Sequence, residues 1–148
     1  MEIVNSRDIN QECFAFALRR SSRAVSQIYD HAFMVLGLRS TQFNLLVGMS
    51  KYQAKTLTEL ALWLVMDRTT LTRNLKPLER AGLICSAATS DKRSKAYALT
   101  DQGKDLVEKA MPLWQQIQNS LDRVLGNEFR PEFIKNLNYV IEKSRDIS

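Results

Sequence analysis

Residues 56–84 read TLTELALWLVMDRTTLTRNLKPLERAGLI, and two helix starts lie within them. Thr56 and Glu59 have the spacing of a capping box, in which each side chain satisfies a backbone amide of the other residue. Leu57, Leu60, Ala61 and Leu64 then repeat at helical spacing and form one apolar stripe. Val65 and Met66 lead to Asp67, an N-cap for a second helix. In that helix Leu71, Leu75 and Leu78 must face a core, which turns Arg68, Thr69, Thr72, Arg73 and Lys76 outward. Thr70, in the first turn, joins them as a candidate contact. A short helix, a tight turn and a second helix showing Arg and Thr to solvent is how a helix-turn-helix meets a major groove.

Two residues depart from the simplest form of that motif. Val65 holds the turn position where glycine is common. Pro77 lies within the second helix, where proline costs ~3 kcal/mol and frees the carbonyl four residues back. It either separates a reading end from a core-packing end or is simply tolerated near the helix terminus.

The following segment reads as a hairpin. Gly82 can end the helix in a left-handed cap. The runs Ile84–Thr89 and Lys95–Thr100 flank the polar turn Ser90-Asp91-Lys92-Arg93-Ser94. A hairpin after such a helix is a wing, and Lys92, Arg93 and Lys95 at its tip suit phosphate or minor-groove contacts. From Asp67 to Lys95 there are seven basic residues and three acidic ones, a net +4 out of the chain's +5. The positive charge is concentrated where phosphates would lie.

At 148 residues the chain is long enough for one real core. Its 45% apolar and 25% charged residues exclude a disordered class. No apolar run approaches the ~18 residues of a membrane span, and the amino terminus lacks a basic-then-apolar signal, so a cytoplasmic protein is expected. Cys13 and Cys85 make no disulfide framework, and their spacing to His31, the single histidine, suits no structural zinc. No metal or other cofactor is expected.

The flanks read as helices. Residues 10–36 contain neither glycine nor proline, and Phe14, Ala17, Leu18, Val25, Ile28, Ala32 and Val35 keep three-four spacing up to a cap at Gly37. Another helix starts at Ser40 or Thr41 and carries Phe43, Leu46 and Val47. Beyond the wing, residues 103–147 hold a long helix with a near-heptad stripe of Leu106, Ala110, Leu113, Ile117, Leu121 and Val124. Pro112 should bend it. Gly126-Asn127 should break it before a last helix bearing Phe133, Leu137, Val140 and Ile141. These faces exceed what the winged core of residues 40–100 can cover, so a two-fold partner chain is the economical place for them. Phe14, Val25 and Ile28, with Leu113, Ile117 and Leu121, are the expected shared surface. An intramolecular bundle is the alternative.

The motifs Leu60-Ala61, Asp67-Arg68-Thr69-Thr70-Leu71-Thr72-Arg73, Leu78-Glu79-Arg80-Ala81-Gly82-Leu83-Ile84, Asp91-Lys92-Arg93 and Leu99-Thr100-Asp101-Gln102-Gly103 together resemble the MarR family of bacterial winged-helix regulators. The resemblance covers nearly the whole chain. It implies a mostly helical fold with a small β wing, joined into a homodimer through amino- and carboxy-terminal helices. It further implies a repressor on a palindromic DNA operator, with Arg93 entering the minor groove and Asp91 bracing it. Many relatives release DNA on binding a small phenolic or aromatic effector, for which Trp63 and Trp114 would be pocket candidates, simple core packing being the commoner role of such residues. A subset respond to oxidants. Cys13, with Ser21-Ser22-Arg23 and Tyr29 downstream, resembles the hydroperoxide sensors of the family. It lies two residues further from the Ser-Ser-Arg landmark than their pattern has it, and Ser40 stands where a second tyrosine belongs. Inert packing is the other reading of Cys13.

Three function classes follow: a DNA-binding regulator, a winged helix that binds only proteins, and an enzyme. The arginines and threonines of the outer helix face favour the first over the second. The third lacks a glycine-rich phosphate loop, a nucleophile–histidine arrangement and a carboxylate pair in a cleft.

Overall fold

The computed structural model describes residues 12–50, 55–90 and 93–147. The chain divides into two compact units, Met1–Met111 and Pro112–Ser148.

In the first unit, α1 spans Phe14–Phe33 and tightens into a 3-10 turn, Met34–Leu36, that closes on Gly37 in the left-handed region. The α-helix therefore ends at Phe33, short of the Leu36 to which its apolar pattern runs. At its end Phe33 is buried against Phe43, ring centres 4.7 Å apart. The preceding turn carries Asp30, whose carboxylate accepts from the Ser40 amide at 2.6 Å and from Arg39 at 3.5 Å. That amide, foremost, holds Asp30 below the ordinary carboxylate range. Asp30 thus caps α2, Ser40–Ser50, from the neighbouring helix. Phe43, Leu45, Leu46 and Met49 fix α2 in the core.

The helix-turn-helix follows. α3 is Leu57–Leu64 and α4 is Arg68–Arg80. The capping box forms as its spacing requires: the Thr56 amide donates to Glu59 at 2.7 Å, and the Glu59 amide to the Thr56 hydroxyl at 3.2 Å. The Thr56 amide foremost, and then the Thr56 hydroxyl, which donates to the same carboxylate at 2.9 Å, lower the Glu59 pKa. Val65 resolves the turn by adopting φ 52°, ψ 49°, the only positive φ outside glycine among the described residues. A β-branched residue there is strained by roughly 1–2 kcal/mol. Glycine brings ~0.5–1 kcal/mol of extra chain entropy to be lost on folding. Val65 is 63% exposed and has little packing to lose. Val65→Gly is therefore expected to stabilise the fold by about 0.5–1 kcal/mol, raising the urea midpoint at unchanged slope. A lowered midpoint would contradict it.

Three strands form an antiparallel sheet in the order β1-β3-β2: Lys55–Thr56, Ala96–Leu99 and Ile84–Ala87. Both hairpin strands are shorter than their sequence runs, and register pairs Ile84 with Leu99 and Ala87 with Ala96. β1 was not foreseen. It exists through pairing, Lys55 opposite Tyr97 and Thr56 opposite Ala96, and the Leu57 amide donates to the Lys95 carbonyl at 2.9 Å.

The Leu-Thr-x-x-Gly motif makes the joint to the next helix, α5, Asp101–Leu125. The Thr100 hydroxyl donates to the Gly82 carbonyl and accepts from the Gly103 amide at 3.1 Å. Gly82 has φ 71°, as a left-handed helix end requires.

The second unit begins at Pro112, inside α5. After the break at Gly126, α6 runs Phe129–Ser144 with Pro131 in its first turn. Arg130 clasps Asp122 with two 2.7 Å bonds, which lower the Asp122 pKa. Ile117 is only 6% exposed within a single chain. It belongs to the protomer's own core and cannot serve as the open contact its stripe predicts. A heptad stripe marks a face, not which chain covers it.

Candidate nucleic-acid interface

Leu71, Leu75 and Leu78 are each at most 1% exposed and anchor α4 along its length. They lie on both sides of Pro77, so the proline does not divide a reading end from a packing end. It is an exposed residue tolerated near the helix terminus. The face opposite the leucines exposes Arg68, Thr69, Arg73 and Lys76, with Thr72 half-exposed between them. Among the described residues, none of these three cations is in an ion pair.

The amino-terminal end of α4 is held by Asp67. Its carboxylate accepts from the Thr70 hydroxyl and from the Thr70 amide, the latter at 2.8 Å. These bonds, the hydroxyl first, keep Asp67 below the ordinary carboxylate range. Thr70, half-buried, therefore serves the cap. The Thr72 hydroxyl donates to the Arg68 carbonyl at 2.7 Å. The Asn74 side-chain amide lies 3.7 Å from the Met66 sulfur, which ties α4 to the turn. No sequence pattern distinguishes these threonines; their hydrogen bonds do.

On the wing, Arg93 and Lys95 are exposed. Asp91 and Lys92 lie outside the described residues, so the bracing of Arg93 by Asp91 remains an expectation from the sequence. The Lys95 carbonyl bond to Leu57 joins the wing stem directly to the start of α3. Helix face and wing are thus parts of one hydrogen-bonded unit.

The remaining candidates are scattered. Cys13 is half-buried just before α1, with no side-chain bond to the helix end, and Cys85 is exposed on β2; both are free thiols. His31 is exposed. Among the described residues no group of three His, Cys, Asp or Glu side chains is arranged to hold a metal ion. Nor is any described helix long and apolar enough to cross a membrane. Trp63 is 59% exposed with its ring against the Gly48 backbone, while Trp114 belongs to the second unit. Behind α4 an open groove of about 370 Å³ is lined by Leu36, Leu38, Gln42, Pro77, Leu83 and Leu106, among others.

Residues 44–103 match the family described as a winged helix DNA-binding domain. The organic hydroperoxide resistance transcriptional regulator of Bacillus subtilis is 32% identical over 105 residues, 70% of each chain. The M. tuberculosis transcriptional regulator MosR, solved in complex with DNA, is 38% identical, with a TM-score of 0.78 over 90% of this chain and 99% of that one. The chain belongs to the MarR family. MarR of E. coli itself, at 22% identity, shares the fold, with a TM-score of 0.66 over 97% of this chain and 98% of its own. The protein is accordingly a MarR-type transcriptional regulator, built as a winged helix-turn-helix flanked by helices. Its relatives are regulators, not enzymes.

Proposed function

We propose that this MarR-family chain is a homodimeric repressor that binds a palindromic operator through α4 and the wing, and leaves it when a small phenolic or aromatic effector binds. One observation carries the reading: Arg68, Thr69, Arg73 and Lys76 form an exposed, uncompensated basic face on a helix locked from behind by buried leucines. Such a face costs self-repulsion in the free protein and is relieved by a polyanion. Exposed Phe14, Val25 and Ile28 on α1, and Phe129, Phe133 and Ile141 on α6, support pairing of two chains. The groove behind α4 supports effector entry, since it has the size of small-ligand sites and touches the helix that would read DNA.

Anisotropy titrations against the chain's own upstream DNA and against random duplex test the assignment. Arg73→Ala should cost ~1–3 kcal/mol of discrimination, as expected for a bidentate guanine contact. Lys76→Ala and Arg93→Ala should weaken both duplexes and each flatten the salt dependence by about one unit of log–log slope. Equal losses on both duplexes for every variant would remove α4 as the reader.

A second reading is favoured by the Bacillus subtilis relative, whose name is that of a hydroperoxide resistance regulator. In it Cys13 senses an oxidant and sets DNA release. Loss of DNA binding on hydroperoxide treatment, abolished in Cys13→Ser, would select it over a purely ligand-driven release.

A further inference from the structure

The three threonines at the start of α4 commit their hydroxyls differently. That of Thr70 faces the Asp67 cap. That of Thr69 has no partner among the described residues. Thr72 turns its hydroxyl back four residues onto the Arg68 carbonyl, at 2.7 Å. A hydroxyl so placed is a satisfied donor, and the tetrahedral geometry at Cβ then leaves the methyl as the group available outward. Thr72 sits on the ridge between Arg68 and Lys76, in the middle of the exposed basic face. Its two neighbours on that ridge are cations suited to phosphate or guanine. Among the base edges of a major groove, the C5 methyl of thymine is the apolar group.

We infer that Thr72 is a specificity-determining residue that reads a thymine through methyl-to-methyl contact, its own hydroxyl being held by the Arg68 carbonyl. The inference rests on the reading of α4 as the DNA-contacting helix. It assigns the polar share of threonine recognition to Thr69 and the apolar share to Thr72.

The experiment uses the full chain to enrich duplexes from a random pool, then replaces each thymine of the enriched site in turn with deoxyuridine. That change removes the methyl and keeps every hydrogen-bonding atom of the base. At one thymine in each half-site, affinity should fall by about fourfold per half-site, the equilibrium equivalent of one methyl left in water. Thr72→Val keeps the methyl and lacks the hydroxyl, so it should bind the thymine site like the wild type and keep the full deoxyuridine penalty. Thr72→Ser keeps the hydroxyl and lacks the methyl. It should bind more weakly by the same factor and be indifferent to deoxyuridine at that position. A Thr72→Val variant as weak as Thr72→Ala would assign the contact to the hydroxyl and overturn the inference, leaving α4 as the reader. So would a Thr72→Ser variant that retains the deoxyuridine penalty. Failure to enrich any duplex would overturn the DNA-binding reading itself.

Discussion

Gly103→Ala should destabilise the protein by about 3 kcal/mol or more, at the upper end of overpacking costs. A Cβ at this position would lie 2.0 Å from the Leu83 carbonyl oxygen and 3.3 Å from a Leu99 methyl. The oxygen is not free to retreat, because it also accepts from the Thr100 amide at 3.1 Å. α5 would have to back away from the wing base and give up the Thr100 bonds to Gly82 and Gly103. For a chain of this length the melting temperature should drop by roughly 10 °C, which circular dichroism would follow directly. An unchanged melting temperature would mean that the joint at Thr100 is looser than its hydrogen bonds require. The glycine of the Leu-Thr-x-x-Gly motif is thus explained by a close approach of two backbones.

Ile28→Glu should give a folded protein that no longer pairs. Ile28 is 47% exposed in a single chain, so the charge is hydrated in a monomer and costs the fold little. Buried in a two-chain interface, an unpaired carboxylate costs about 3–5 kcal/mol, a hundredfold or more in the dimer dissociation constant. Sedimentation at micromolar concentration should find monomers, with the defect deepening on dilution. Under the proposed two-chain mechanism operator affinity should fall with it, one winged unit then reading one half-site. Ile117→Glu serves as the contrast: buried within the protomer, it should damage folding at every concentration. A wild-type chain that sediments as a monomer and still binds its operator tightly would overturn the two-chain mechanism.

The local signals of this sequence were readable because their causes are local. The capping box of Thr56 and Glu59, the Asp67 cap and the left-handed Gly82 each involve residues three or four apart, and each forms as its spacing demands. The leucine spacing of α4 likewise gave both its buried face and, by subtraction, its exposed one. What escaped was non-local. Lys55–Thr56 carries no strand pattern of its own and becomes one only opposite Ala96 and Tyr97, some forty residues on. Ile117 shared a stripe with half-buried Leu113 and Leu121 and exposed Val124, and nothing in a periodicity says which part of it a chain covers for itself. For the candidate site, residue identities were legible but their engagements were not. Thr69, Thr70 and Thr72 look alike in sequence, and only the Arg68 carbonyl and the Asp67 carboxylate tell them apart.

Thr56 belongs to two structures at once. Its backbone pairs with Ala96 in the sheet, its side chain caps α3, and the next amide, that of Leu57, is held by Lys95. The amides of Thr56, Leu57 and Glu59 are all engaged at this one corner and are expected to exchange with solvent as one cooperative unit. The hairpin stem is thereby pinned to the start of α3 at this corner, through the sheet pairing and the Leu57–Lys95 bond.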